Sequence, residues 1–154
     1  NKLLPDALRA FVGTPSEHLR FWIVGTIVDD AESCEALIAS DPRIRFLGWK
    51  SPQELEDVLC AADVFLQPSG QTATTQTSMC CRCALVVSDV PSHRALFVNN
   101  GFLINSQTSL SDALRALASA PQQVEEMKQR SLAFARQNLD YTELARRLAP
   151  PASH

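Results

Sequence analysis

Short apolar runs rich in β-branched and aromatic residues recur from Arg20 onward: LRFWIVG, ending at Gly25, then IRFLG, ADVFLQ, ALVVS and the short run Gly101-Phe102-Leu103-Ile104. Stretches with helical spacing separate them, over about Ala31 to Ala39, Pro52 to Ala61 and Thr72 to Arg82. Strands that alternate with helices predict a parallel sheet, because parallel neighbours need a long crossover and the crossover helices cover both faces. Ser51-Pro52-Gln53-Glu54 has the form of a capping box, with proline at the first helical position. After Ser109 the period changes. Leu110, Leu114 and Leu117, then Val124, Met127 and Phe134, predict two helices, the longer starting near Pro121, and Pro150-Pro151 ends a last one over about Tyr141 to Leu148. The fold class expected is therefore α/β, a Rossmann-like parallel sheet flanked by helices on both faces with a helical C-terminal third. A helix over Leu3 to Phe11 precedes the first recognisable strand. The sheet is thus expected to lack a strand lying upstream of Asn1, as in a piece cut from something longer.

Composition adds limits. With 154 residues, one domain spanning 1–154 is expected, and its 45% hydrophobic content suffices for a core. The formal charge is -3, with acids and bases interspersed, so no basic footprint for nucleic acid is present. No apolar run approaches the roughly 18 residues that span a bilayer, and NKLLPDALRAF is not built like a signal peptide. A cytoplasmic location is expected. Five cysteines, unevenly spaced, predict free thiols rather than a disulfide framework. Three of them lie in TSMCCRC. On a helix Cys80 and Cys81 point about 100° apart, which argues against convergence on a metal, and Arg82 is the only evident cation to activate a thiol. They are read as small hydrophobes in a packed interior. His18, His93 and His154 have no partners at metal-ligand spacing; His93 follows a strand end and could reach a cleft. No Gly-x-Ser-x-Gly elbow supports a hydrolase, and no Gly-x-Gly-x-x-Gly or P-loop follows a strand.

Ligands of open α/β sheets bind outside the carboxyl ends of the strands. That nominates Gly25-Thr26, Gly48-Trp49-Lys50 and Pro68-Ser69-Gly70-Gln71-Thr72. The third loop is the richest. Gly70 permits close backbone approach, and Ser69, Thr72, Thr74 and Thr75 place hydroxyls beside the free N–H groups of the coming helix, a setting that suits phosphate and equally suits ordinary capping.

Taken in order, WIVG, RIRFLGW, ELEDVLCAADVFLQPSG, MCCRCALVVSDVPSH and NNGFLI resemble the C-terminal, nucleotide-sugar-binding half of retaining GT-B glycosyltransferases, a group with many bacterial polysaccharide enzymes. The likeness covers nearly the whole chain. Met79 to Val86 match the family's EAMACGxPVV helix and strand, with Arg82 at the glycine position. It implies that a sugar moves from a nucleoside diphosphate sugar to a glycan or lipid-linked acceptor held by an N-terminal domain, with no cofactor. The parent would work in the cytoplasm, at the inner face of the membrane, and the isolated chain would turn nothing over. It implies a diphosphate contact for Lys2 and a nucleobase position near Gly48 and Trp49. It also implies two glutamates, where this chain has Thr72 and either Thr77 or Gln76; no acidic residue lies between Asp63 and Asp89. Gln71 and Gln76 can hydrogen-bond sugar or ribose hydroxyls, because an amide both donates and accepts. The cysteines fall where the family places small packed residues. Without the glutamates, two other readings stay open: a non-catalytic glycan- or partner-binding module, and a GT-B phosphosugar epimerase.

Overall fold

The computed structural model describes residues 3–27 and 30–140. In chain order they form α1 (Leu3–Val12), β1 (Phe21–Val24), α2 (Ala31–Ser40), β2 (Ile44–Gly48), α3 (Pro52–Ala61), β3 (Val64–Gln67), α4 (Ala73–Cys80), β4 (Ala84–Ser88), α5 (Pro91–Arg94), β5 (Gly101–Ile104), α6 (Gln107–Ser119) and α7 (Pro121–Asn138). The alternating pattern is realised almost element by element. Only the single turn of α5 has no counterpart in the periodicity. Lys2, His154 and the helix expected over Tyr141 to Leu148 lie outside the described residues.

Local chemistry sets the boundaries. Ser51 starts α3: its N–H donates to Glu54 Oε2 at 2.9 Å, and the Glu54 N–H returns to Ser51 Oγ at 3.4 Å. Helix α4 ends in a left-handed residue, Arg82, with φ 66°, and the Cys83 N–H closes back onto the Ser78 carbonyl at 2.9 Å. That geometry explains the glycine expected at this position, since a side chain there is strained. Arg82 reaches Glu125 of α7 in an ion pair at the surface.

Strand β4 is buried on both faces. Val86 packs with α1, α2 and α6 residues such as Leu8, Cys34 and Leu114, whereas Leu85 and Val87 pack with Met79 of α4 and Ala135 of α7. Alternation of side chains along a strand produces these two layers, and a continuous apolar run is what a strand covered on both sides requires. A second fixed point joins α1 to β2. The Arg43 guanidinium holds Asp41 at 2.6 Å, donates to the carbonyls of Thr14 at 2.8 Å and Ser16 at 3.0 Å, and lies 4.6 Å from the Phe11 ring centre.

The single sheet expected from the alternation is interrupted. β1 pairs in parallel with β2, and β3, β4 and β5 form a separate parallel ladder in that order. A cleft of about 370 Å³ lies between the two, lined by Phe21, Trp22, Ile23 and Val24 on one side and Leu66 and Pro68 on the other, with Leu3, Leu4 and Ala7 of α1 beside it. The interruption sits inside the sheet.

Candidate functional site

Three loops leave the carboxyl ends of β1, β2 and β3. The first two are bonded to each other: Gly25 (φ 118°) donates its N–H to the Gly48 carbonyl (φ 70°) at 2.9 Å. Both glycines occupy backbone conformations that side chains strain to reach. Trp49, which directly follows, is 70% exposed, so its ring is available at the surface and takes no part in the core.

The third loop is organised by a residue that the strand pattern had absorbed. Gln67 closes β3, and its carboxamide reaches into the loop after it. Nε2 donates to the Gly70 carbonyl at 3.0 Å and to Thr72 Oγ1 at 3.2 Å, while Oε1 accepts from Thr75 Oγ1 at 2.7 Å. The carbonyl of Gly70 can only accept, which fixes the amide orientation. A polar residue ending an apolar run at the carboxyl edge of a parallel sheet is the signal that could have nominated it. From the other side, Ser88 Oγ donates to the Ser69 carbonyl at 3.0 Å. His93 is fully buried and its Nδ1 donates to the Ser88 carbonyl at 2.9 Å, leaving Nε2 buried without a hydrogen-bond partner among the described residues. His93 therefore props the end of β4 and does not face a cleft.

The expected site residues separate into groups. Thr26 and Ser69 line the mouth of the same cleft. Ser69, Gly70 and Thr72 are drawn together by Gln67, with Thr72 exposed at the start of α4 and Gln71 half-buried. Thr75, expected among the ligand-contacting hydroxyls, is buried; its hydroxyl is committed to Gln67, so it supports the loop from beneath. Gln76 and Thr77 are half-buried on α4, and the Thr77 hydroxyl bonds back to the Ala73 carbonyl at 3.2 Å. The first-turn N–H groups of α4 point back along the helix axis toward the loop, as helix geometry requires. Asp89, the nearest carboxylate after the loop, is paired with Arg94 at 2.6 Å, and that hydrogen bond holds its carboxyl below the usual range.

The cysteines behave differently from one another. Cys83 is buried, and burial pushes its thiol up to about 12. Cys81 is half-buried and also raised to about 12, by burial first and then by the Cys60 thiol beside it. Cys80 is exposed, which corrects the expectation that all three pack inside. Raised thiols are poor nucleophiles at neutral pH. Among the described residues no three His, Cys, Asp or Glu side chains are arranged to hold a metal ion. A maleimide is expected to label Cys60 and Cys80 first and to reach Cys34 and Cys83 only on unfolding, as peptide mass spectrometry would show. Equal labelling of Cys83 and Cys80 in the native protein would contradict this packing.

The chain is a parallel α/β domain with glycine-turned loops and a helix N-terminus gathered at the strands' carboxyl ends, the edge at which open α/β sheets that bind ligands hold them. More particularly, a family model described as glycosyl transferases group 1 matches residues 2–120, and the chain belongs to that family. No curated protein sequence matches it. Among solved structures, it is similar to Anabaena Alr3699/HepE in complex with UDP, with TM-score 0.79 and 17% identity over 93% of this chain and 43% of that one. The same protein in complex with UDP-glucose gives TM-score 0.74 and 14% identity over 92% and 42%. The pneumococcal O-GlcNAc transferase GtfA, in complex with UDP and GlcNAc, gives 0.69 and 22% over 88% and 29%. This chain therefore spans less than half the length of each. The likeness establishes the α/β fold, with helices on both faces and a helical C-terminal part. No helix among the described residues is long and apolar enough to cross a membrane.

Proposed function

We propose that this chain is the donor-binding half of a glycosyltransferase, and that it holds a nucleoside diphosphate sugar at the carboxyl edge of β1, β2 and β3. The observation that carries the reading is the Gln67-organised loop at the start of α4. It presents the backbone of Ser69 and Gly70 and the Thr72 hydroxyl beside the helix N-terminus, where a diphosphate meets unpaired N–H groups and the positive end of the helix dipole. In transfer, the diphosphate leaves, and groups already aimed at it stabilise its growing charge without reorganising. Gln71 and Gln76 would contact hydroxyls of the sugar and ribose as neutral partners. Trp49, exposed and joined to the Gly25 loop through Gly48, would stack on a nucleobase, and its exposed ring supports that role. UDP is the natural first ligand, since the similar solved structures hold it. An acceptor, glycan or lipid-linked, would be presented by polypeptide outside this chain.

Calorimetric titration with UDP, GDP and UDP-glucose tests the reading. Gln67→Leu is expected to weaken nucleotide binding at least about tenfold by releasing the loop, and to lower the unfolding midpoint by about 2 to 8 °C because the buried Thr75 hydroxyl loses its partner. Trp49→Ala should cost about fivefold by removing one stacking face. A folded chain that binds no nucleotide at millimolar concentration would sink the proposal. It would favour a non-catalytic module instead, a reading supported by the uncharged Thr72 and Thr77.

A further inference from the structure

In sequence Cys80, Cys81 and Cys83 form one cluster, and the fold brings a fourth thiol to it. Helices α3 and α4 are consecutive, joined by β3, and they pack together near their carboxyl ends. The Cys83 thiol donates to the Leu59 carbonyl at 3.2 Å, and the Cys81 thiol points at the Glu56 carbonyl, with 4.0 Å from Sγ to oxygen. Cys60 lies about one helical turn beyond Glu56. Side chains on a helix lean toward its amino-terminal end, so the Cys60 thiol hangs over the turn that Cys81 touches. The two thiols are in hydrogen-bond contact there. Their surroundings differ, because Cys60 is exposed and Cys81 is half-buried.

We propose that Cys60 and Cys81 form a dithiol site for small-molecule disulfides, which convert the pair reversibly into a cross-link between α3 and α4. Cys60 gives up its proton to solvent and its sulfur attacks one sulfur of the incoming disulfide, whose S–S bond breaks and releases one thiolate, which takes a proton from solvent. The sulfur of Cys81 then displaces the second thiolate from the mixed disulfide and passes its proton to that leaving group. Two protein thiols are oxidised, and one small disulfide is reduced to two thiols. Position sets the order of events. Cys60 is the sulfur that an oxidant in solution meets, whereas burial, and then Cys60 beside it, push the Cys81 thiol up to about 12, so Cys81 reacts only with a sulfur already activated against it. The other cysteines suit the role less well. Cys83 is fully buried with its thiol on the Leu59 carbonyl, and Cys34 is buried in the layer of α1 and α6. Cys80 and Cys81, adjacent at the end of α4, point about 100° apart. Packing accounts for Cys83, but not for an exposed thiol held against a half-buried one. The site needs no nucleotide.

The experiment exposes the reduced, native 154-residue chain to oxidised glutathione, blocks the remaining thiols with a maleimide and maps the products by peptide mass spectrometry. Cleavage after Asp63 separates Cys60 from Cys80, Cys81 and Cys83, and cleavage after Arg82 separates Cys83 from Cys81. Cys60→Ser and Cys80→Ser, both at exposed positions, accompany the natural chain. The expected product is an intramolecular disulfide from Cys60 to the peptide carrying Cys81, at least about tenfold over every other disulfide, because the fold holds the two thiols at high effective concentration. Cys60 should lose its maleimide label while Cys80 keeps it. In urea, disulfides among Cys80, Cys81 and Cys83 should replace that product, since short loops close at least entropic cost. Cys80→Ser should keep the cross-link, Cys60→Ser should abolish it, and excess reduced glutathione should reverse it. A Tm of the cross-linked chain equal to or above that of the reduced chain supports the proposal, since a bond that the native geometry accepts does not strain it. The proposal is overturned if glutathione stays on Cys60 as a stable mixed disulfide, if buffer and urea give the same products, if Cys80→Ser loses the cross-link, if reduced glutathione leaves it in place, or if cross-linking lowers Tm.

Discussion

Arg43→Ala is expected to destabilise the protein by about 3 kcal/mol, seen as a lower midpoint in urea and a Tm lower by roughly 6 to 12 °C. The guanidinium is 17% exposed and its partner Asp41 10% exposed. Truncation leaves a mostly buried carboxylate without its counter-charge and takes the side-chain donor from the carbonyls of Thr14 and Ser16, whereas the Phe11 carbonyl keeps the Thr14 N–H. Breaking one partner of such a pair costs more than the pair is worth, because the remaining charge stays desolvated. Arg43→Lys should recover little, since an ammonium cannot reproduce the planar fork. A loss below about 1 kcal/mol for Arg43→Ala would show that water reaches the site freely.

The same pair predicts acid sensitivity. The Arg43 hydrogen bond holds the Asp41 carboxyl below its usual range, against the opposing effect of burial. A carboxyl depressed in the folded state contributes stability at pH values above its unfolded pKa, about 3.9, and loses it as the pH falls through the folded pKa. Stability should therefore decline below about pH 4 in the natural chain. In Asp41→Asn that decline should be shallower, and identical acid limbs in the two proteins would remove Asp41 from the explanation.

Gly101→Ala is the second substitution with a large expected effect. The added Cβ would overlap the Leu85 carbonyl oxygen and stand 2.6 Å from the carbonyl carbon and 2.7 Å from the nitrogen of Leu85. Those atoms belong to the main chain of β4, buried on both sides, so no flexible side chain can move aside. Overpacking in a core costs roughly 1 to 3 kcal/mol, and a main-chain clash falls at the upper end or beyond. Loss of about 3 kcal/mol, with faster exchange across Leu85 to Ser88, is the expected result. A change under about 1 kcal/mol would mean that β5 can shift away from β4 at little cost. The glycine is needed here for close approach, whereas Gly25 and Gly48 are needed for their backbone angles.

Much of the fold was legible in the chain because its signals are local. IRFLG, ALVVS and GFLI become β2, β4 and β5 at the expected residues, since short apolar runs bounded by turn-formers carry their own period. Ser51 and Glu54 cap α3 because a capping box needs only four consecutive residues. The loop Pro68–Thr72 was legible as a place, through glycine and hydroxyls after a strand. Its support was not. Gln67 reads as the end of a strand, Thr75 as a solvent-facing hydroxyl and His93 as a residue free to reach a cleft, until long-range packing shows what each one faces.

Sequence alone thus determined the α/β class and the order of the elements, and it nominated the edge at which a ligand is expected. These follow from periodicity and from the directional rule that parallel sheets open at their carboxyl ends. Tertiary structure alone decided that Gln67 organises the loop, that Trp49 is exposed while His93 is buried, and that the sheet is split between β1 and β3. Such facts depend on which side of a strand a main-chain or side-chain group turns and on what stands opposite it. Residues far apart along the chain supply the opposing groups, and no local pattern records their meeting.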